Sequence, residues 1–313
     1  MALALVSRTT FSTNRTLEFF SERELTMQLG VSRDRWALAM LKELVDNALD
    51  AAEQMDRPPV ITITADAEAH TLSVQDNGPG LPLDTLQQSL DYTVRVSDKA
   101  NYVSPSRGQL GNALKCLWGL PYVLSGAREQ GQVDVSVDGT RYEVQIQVDY
   151  LAQKPLLTCT PVPDPKVKSG TTVTIHWPQV ASYRSETPDA YFYFSGAREL
   201  VQHYALLNPH ATFAYQNGAA VEYPARDPAW PKWTPKAPTS PHWYTPQQFH
   251  ALLCAFLNTD RQTAAGARLL SDVLAEFDGF AGSAARCPAT AGSHPRHPGG
   301  ARGRGGDLPV PGR

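Results

Sequence analysis

Between residues 35 and 55 the chain contains no Gly or Pro, and Leu38, Leu41, Val45, Leu49 and Ala52 recur at spacings of three and four. That period lines one face of a helix, so the segment is predicted to be a long helix with these residues inward. Arg57-Pro58-Pro59 ends it. Residues 60–64 alternate apolar and polar as a strand does, and 71–75 form a second strand. Short helices are predicted over 83–90 and 109–118, with further strands at 121–125, 132–138, 141–149, 155–160 and 171–177. Upstream, residues 1–34 read as an arm and a short helix. Phe19, Phe20 and Leu25 serve there as apolar anchors, and Ser21 with Glu24 forms a capping box. Helices interleaved with separated strands predict an α/β two-layer sandwich, a mixed sheet with helices on one face.

Beyond this expected domain of residues 35–177, Pro178 to Ser182 marks a break. Residues 178–222 are expected to form a junction or the start of a partial or divergent second domain, with a helix over 191–207 and a strand over 211–216. A Pro/Trp-rich linker over 223–246 follows, then a helical segment over 247–283 with helices at 247–257 and 264–277. Ser240-Pro241-His242-Trp243-Tyr244 reads as packed linker or as a partner contact. The tail over 284–313 is rich in Ala, Arg, Gly and Pro and is expected not to fold. Its abrupt change of character suits a frameshifted or truncated end as well as an authentic tail.

Composition narrows the field modestly. The 313 residues suffice for one or two domains with a real core. A net charge of −3 predicts no bulk electrostatic grip on nucleic acid, although a local patch is compatible with it. Cys116, Cys159, Cys254 and Cys287 follow neither a zinc spacing nor a disulfide framework, which fits a reducing cytoplasm. No apolar run is long enough to cross a membrane.

Candidate chemistry enters with Lys42-Glu43-Leu44-Val45-Asp46-Asn47-Ala48-Leu49-Asp50-Ala51. On a helix, Glu43 and Asn47 stand one turn apart and Asp50 about one turn further, on roughly the same side. A carboxylate and a carboxamide stacked in this way suit an acceptor for a water proton beside an oxygen for a hard cation. An ordinary amphipathic helix carries the same residues. Asp76-Asn77-Gly78-Pro79-Gly80 follows a predicted strand, where glycines let a flat ligand approach the backbone and a buried aspartate accepts from an exocyclic amine. An ordinary Asp-Gly turn reads the same way. Ser104 to Ala113, with Arg107, Gly108, Gln109, Leu110 and Gly111, opens a helix whose free amides suit phosphate, or is simply a flexible turn and cap. Ser169-Gly170-Thr171 enters a strand and places a hydroxyl where a ligand or its water can meet it. No Walker A loop or Rossmann fingerprint is present.

Taken in order, these motifs resemble the Bergerat-type (GHKL) ATP-binding fold shared by type II topoisomerase ATPase subunits, MutL-type repair proteins, Hsp90 chaperones and sensor histidine kinases. The 43–51 run, Ser106-Arg107-Gly108-Gln109-Leu110-Gly111 and the upstream Leu17-Glu18-Phe19-Phe20 are most similar to the B-type ATPase subunit of topoisomerase VI. The resemblance implies ATP and Mg²⁺ as cofactors, with Glu43 as general base and Asn47 as the metal ligand. It implies that Asp76 reads the adenine amine and that Gly78 and Gly80 shape the base pocket. Gly108, Gln109, Leu110 and Gly111 would cradle phosphates under a lid, and Thr171 would support the adenine side. Asp50 and Arg107 are further candidates for nucleotide contact, each with a plain structural alternative. A nucleotide-dependent homodimer, a separate DNA-cleaving A-type subunit and DNA reached through that complex are implied as partners. An ATP-dependent clamp of repair or chaperone type is the alternative. Ala113 stands where the family's lid ends in glycine, and no lysine is assignable to the γ-phosphate, Lys232 and Lys236 lying in the Pro/Trp segment.

Overall fold

The computed structural model of the protein describes residues 15–93, 101–103, 113–127, 130–177, 196–230, 237–263, 266 and 268–280. A 3-10 turn at Arg15–Phe20 leads into helix α1 (Glu22–Leu29), and a second at Arg33–Arg35 leads into α2 (Trp36–Ala52). Strands β1 (Val60–Asp66) and β2 (Thr71–Gln75) follow, then α3 (Leu83–Leu90) and α4 (Ala113–Leu124). Next come β3 (Gly131–Val137), β4 (Thr140–Asp149), β5 (Lys154–Pro163) and β6 (Thr171–His176). Helix α5 (Ala197–Leu207), β7 (Thr212–Asn217), β8 (Ala219–Tyr223), α6 (Pro246–Thr263) and α7 (Leu270–Ala275) complete the described chain.

The strands form one sheet of eight in the order β5-β4-β3-β6-β2-β1-β7-β8. Only the β1–β7 pair is parallel, so the sheet is mixed. Helix α2 packs on β1 and β2, α4 on β3, β4 and β6, and α5 on β7. Pairing in this register sends Ile61, Ile63, Leu72, Val74, Val133, Val135, Ile175 and Phe213 to the helix layer, where they are buried with Met40, Leu41, Val45, Leu49 and Trp118. The opposite face is polar. Ser73 and Thr174 share a hydrogen bond of 2.9 Å there, and His176 Nε2 lies 2.9 Å from Asp134 Oδ2. The expected two-layer α/β fold is the observed one.

The predicted stripe of α2 holds: Leu41, Val45, Leu49 and Ala52 are buried and Leu38 is half-buried. Ser21 caps α1, its Oγ accepting from the Glu24 N–H at 3.3 Å. Residues 121–124, expected as a strand, are instead the end of α4, which passes through Pro121. Leu117, Trp118, Leu120, Tyr122, Val123 and Leu124 are all buried, and a helix apolar on every side is stabilised by its packing. Glycines fit its neighbours tightly. A Cβ on Gly119 would stand 2.3 Å from the Phe19 carbonyl oxygen, and one on Gly131 would stand 2.6 Å from the Tyr122 nitrogen. The arm and β3 thus approach the helix backbone itself.

The sheet continues past residue 177. The expected 178–222 junction contributes β7 and β8, joined by a hairpin at Gly218 with φ +71°. The predicted 264–277 helix is observed over Leu270–Ala275. A second apolar cluster of Leu252, Phe256 and Phe277 joins α6 to the chain around α7. Tyr102 packs on it and donates to Glu276 Oε2 at 3.2 Å, while Tyr244 accepts from the Val103 N–H at 3.1 Å. Tyr244 is therefore linker packing. The 284–313 tail, Lys232, Lys236 and Cys287 lie outside the described residues, as do residues 1–14.

Candidate active site

Asp76 leaves β2 at the point where β2 pairs with β6. Its N–H donates to the Thr171 carbonyl at 2.9 Å, extending the ladder by one rung. Its carboxylate then turns back, and Oδ1 accepts from the Gly78 N–H at 2.7 Å and from the Thr171 N–H at 3.2 Å. The aspartate is 6 % exposed, as is Thr171. Burial pushes the Asp76 carboxyl above its ordinary 3.8, against the lowering pull of the Gly78 and Thr171 N–H groups. One carboxylate oxygen is thus committed to the backbone. Among the described residues Oδ2 has no hydrogen-bond partner.

The surrounding glycines leave no room for a side chain. A Cβ on Gly78 would meet the Ala51 carbonyl carbon and Asp76 Oδ1, each at 2.9 Å, and the Ala51 Cβ at 3.1 Å. One on Gly170, whose φ is +74°, would stand 2.0 Å from the Asp76 carbonyl oxygen. Gly80, at φ +89°, faces Val137 Cγ2 at 2.9 Å by the same measure. The loop after β2 is therefore pressed between the last turns of α2, the start of β6 and the end of β3. Asn77, inside that loop, is structural. Its Oδ1 accepts from the Val60 N–H at 3.0 Å, its Nδ2 donates to the Pro58 carbonyl at 3.0 Å, and its own carbonyl accepts from Arg57.

Helix α2 brings up the second half of the site. Glu43 and Asp50 are half-buried on it and Asn47 is exposed. Lys42 Nζ lies 3.1 Å from Glu43 Oε1 and 2.7 Å from Asp46 Oδ2. Burial works against the Lys42 ammonium, but Asp46 and Glu43 outweigh it and raise its pKa. Cys116 on α4 faces the same region: burial and then the Glu43 carboxylate push its thiol up to about 12. Just before it on α4, Lys115 is buried, held by the Ser89 and Asp91 carbonyls and set 5.4 Å from the Tyr92 ring centroid. Burial lowers its pKa and the Asp91 carboxylate opposes that effect.

The structure thus joins Asp76, Gly78 and Thr171 by direct bonds and sets them against the helix that carries Glu43, Asn47 and Asp50. Gly80 lies at the end of the same loop. Arg107, Gly108, Gln109, Leu110 and Gly111 lie outside the described residues, although α4, which they were expected to open, is present. Sequence reasoning named Thr171 and passed over the steric role of Gly170 beside it. It also missed Lys42, Asp46 and Tyr204, whose link spans 158 positions and becomes visible only in the fold.

Residues 33–181 match the family of histidine kinase-, DNA gyrase B-, and HSP90-like ATPases. That span holds α2, β1 to β6 and every contact around Asp76 just described. A GHKL-type ATPase domain is therefore present in this chain. The chain is also similar to the chaperone protein HtpG of Nitrobacter winogradskyi, at 30% identity over 154 residues, which is 44% of this chain and 24% of that protein. The matched stretch is thus about a quarter of the relative's length. Among the described residues, no helix is long and apolar enough to cross a membrane.

Proposed function

We propose that this protein binds ATP at the Asp76 loop, hydrolyses it with Mg²⁺, and uses the nucleotide to bring two copies together. The observation that carries this reading is the Asp76 carboxylate, buried with one oxygen tied to Gly78 and Thr171 and the other left for an adenine amine. Scale supports it. Ala51, against which Gly78 packs, lies eight residues from Glu43. Eight residues of helix cover about 12 Å, the reach from an adenine to a γ-phosphate.

Glu43 takes the proton of the water that attacks the γ-phosphorus, and the products are ADP and phosphate. Asn47, exposed one turn along, would hold Mg²⁺ through its carboxamide oxygen. A single side-chain ligand would suit an ion that keeps few protein ligands. Bound there, the ion would offset charge on the phosphate oxygens. Asp50 continues the polar edge of α2 toward the base. Arg107, Gly108, Gln109, Leu110 and Gly111 complete the phosphate side in this proposal.

The role of the whole protein follows the motifs. The 43–51 and 106–111 runs favour an ATPase like the B-type component of topoisomerase VI, acting with a separate DNA-cleaving partner that carries the strand-cutting chemistry. A net charge of −3 leaves the grip on DNA to the complex. The similarity to HtpG favours a second reading, an ATP-driven clamp of chaperone type without strand passage. One experiment separates them: Mg²⁺-dependent turnover and mass in solution for the wild type and Glu43→Gln, with supercoiled DNA and copurified partners. Nucleotide-dependent dimers with ATP-dependent DNA relaxation support the first reading. Turnover and dimers without a DNA effect support the clamp. Unchanged turnover in Glu43→Gln rejects the base.

A further inference from the structure

We propose that Tyr204 on α5, acting through Asp46 and Lys42, is a positioning residue for the Glu43 carboxylate. This inference rests on the reading of Glu43 as the base of ATP hydrolysis. Asp46 has a side chain only 4 % exposed, and a carboxylate so placed is stable only when both oxygens are served. Oδ2 takes the Lys42 ammonium at 2.7 Å. Oδ1 takes the Tyr204 hydroxyl at 2.7 Å. The Tyr204 ring in turn packs on Phe213 of β7, with centroids 6.1 Å apart, and its hydroxyl lies 3.4 Å from the Lys42 carbonyl oxygen. A continuous path therefore runs from the sheet through α5 to the first helix of the site.

The geometry explains an otherwise odd pair. Lys42 and Glu43 are adjacent on α2, and adjacent helix positions project about 100° apart, so their side chains do not ordinarily meet. Lys42 is half-exposed and has a flexible stem. It reaches Glu43 Oε1 at 3.1 Å because Asp46, one turn further, draws its ammonium across the helix surface. Asp46 can do so only from a fixed rotamer, and the Tyr204 hydroxyl holds that rotamer. The ammonium occupies Oε1 and leaves Oε2 with no partner among the described residues. From α4 the facing group is the Cys116 thiol, which is uncharged at neutral pH and offers no substitute cation.

Helix α5 lies beyond residue 181, where the family match ends. A shift of α5 against α2 changes the Tyr204–Asp46 bond first and the Lys42–Glu43 pair next. Through this path the segment following the ATPase domain acts on the base.

The test is steady-state ATP hydrolysis in the full chain. Tyr204→Phe keeps the ring and removes one hydrogen bond, and kcat falls about fivefold with KM for ATP unchanged. Lys42→Met lowers kcat further, again with KM for ATP unchanged. Lys42→Arg restores kcat. Wild-type kcat in Tyr204→Phe, with Glu43→Gln inactive, overturns the network alone. A loss in Lys42→Met that Lys42→Arg does not repair overturns it as well. Should Lys42→Met fail to fold by thermal melting, Tyr204→Phe decides. No Mg²⁺-dependent turnover in folded wild type, or full turnover in Glu43→Gln, overturns the ATPase reading and this inference with it.

Discussion

Replacing Gly170 by alanine tests how tightly the Asp76 loop is built. Two penalties combine at this position. The backbone stands at φ +74°, a left-handed conformation that costs an L-residue about 1–2 kcal/mol. The new Cβ would also lie 2.0 Å from the Asp76 carbonyl oxygen, well inside any real contact, so β6 must move away from the loop. That movement strains the Asp76 N–H to Thr171 bond of 2.9 Å and the Thr171 N–H to Asp76 Oδ1 bond of 3.2 Å. At about 1 kcal/mol net for each bond, the two terms together reach roughly 3–4 kcal/mol. Gly218 separates them, because its φ is +71° and nothing lies within 4 Å of an added Cβ. Gly218→Ala should therefore lose only the first term, about 1–2 kcal/mol. Urea unfolding of both variants gives the difference, expected at about 2 kcal/mol from the two bonds. Binding of a fluorescent ATP analogue provides a second readout, lost in Gly170→Ala and retained in Gly218→Ala. Equal destabilisation of the two, with ATP-analogue binding intact in both, would refute the reasoning.

Asp76 predicts a pH response. Its folded pKa is raised above the ordinary 3.8, chiefly by burial, so the folded state holds its proton to higher pH than the unfolded chain does. Asp76 therefore lowers stability as pH rises through that window, while adenine affinity falls as pH drops through it. ATP-analogue binding measured downward from neutral pH should weaken before pH 3.8 is reached, and an onset only below 3.8 contradicts the assignment. Gly119→Ala should displace the arm at Arg15–Phe20 from α4, since the new Cβ would stand 2.3 Å from the Phe19 carbonyl oxygen. Faster proteolysis around Phe19 and Phe20 would register this, and an unchanged cleavage rate would count against it. Phe277→Ala removes a ring from the small cluster with Leu252 and Phe256, a loss of about 3 kcal/mol. Hydrogen exchange should then rise across 237–280 while ATP binding persists; protection unchanged there would show that the cluster does not hold that segment.

Legibility in the sequence followed the range of the interactions. The α2 stripe of Leu41, Val45, Leu49 and Ala52 and the alternation in β1 and β2 are local periodicities, and the fold keeps them. Residues 121–124 misled because Pro121 and the β-favouring Tyr122 and Val123 argue locally against helix, while burial on all sides decides for it. Strand β8 went unread although Asn217-Gly218 carries a hairpin signal, and it turns a presumed junction into part of the sheet. In the site, the order of Glu43, Asn47, Asp76, Gly78 and Thr171 along the chain was enough to propose a nucleotide pocket. The contact that shapes it was not readable, because Thr171 meets Asp76 across 95 positions and only once β2 and β6 pair. The same holds for Tyr204 and Asp46.

Calorimetric titration of the wild type and Asp76→Asn with a non-hydrolysable ATP analogue, and with its GTP counterpart, tests the central claim most directly. Asp76 Oδ2 is the acceptor assigned to the adenine amine, and guanine presents a carbonyl oxygen at that position. The account predicts saturable Mg²⁺-dependent binding of the ATP analogue to the wild type, at least tenfold weaker binding of the GTP analogue (about 1.4 kcal/mol), and loss of that preference in Asp76→Asn. A folded wild type that binds neither analogue, or binds both alike, would contradict it.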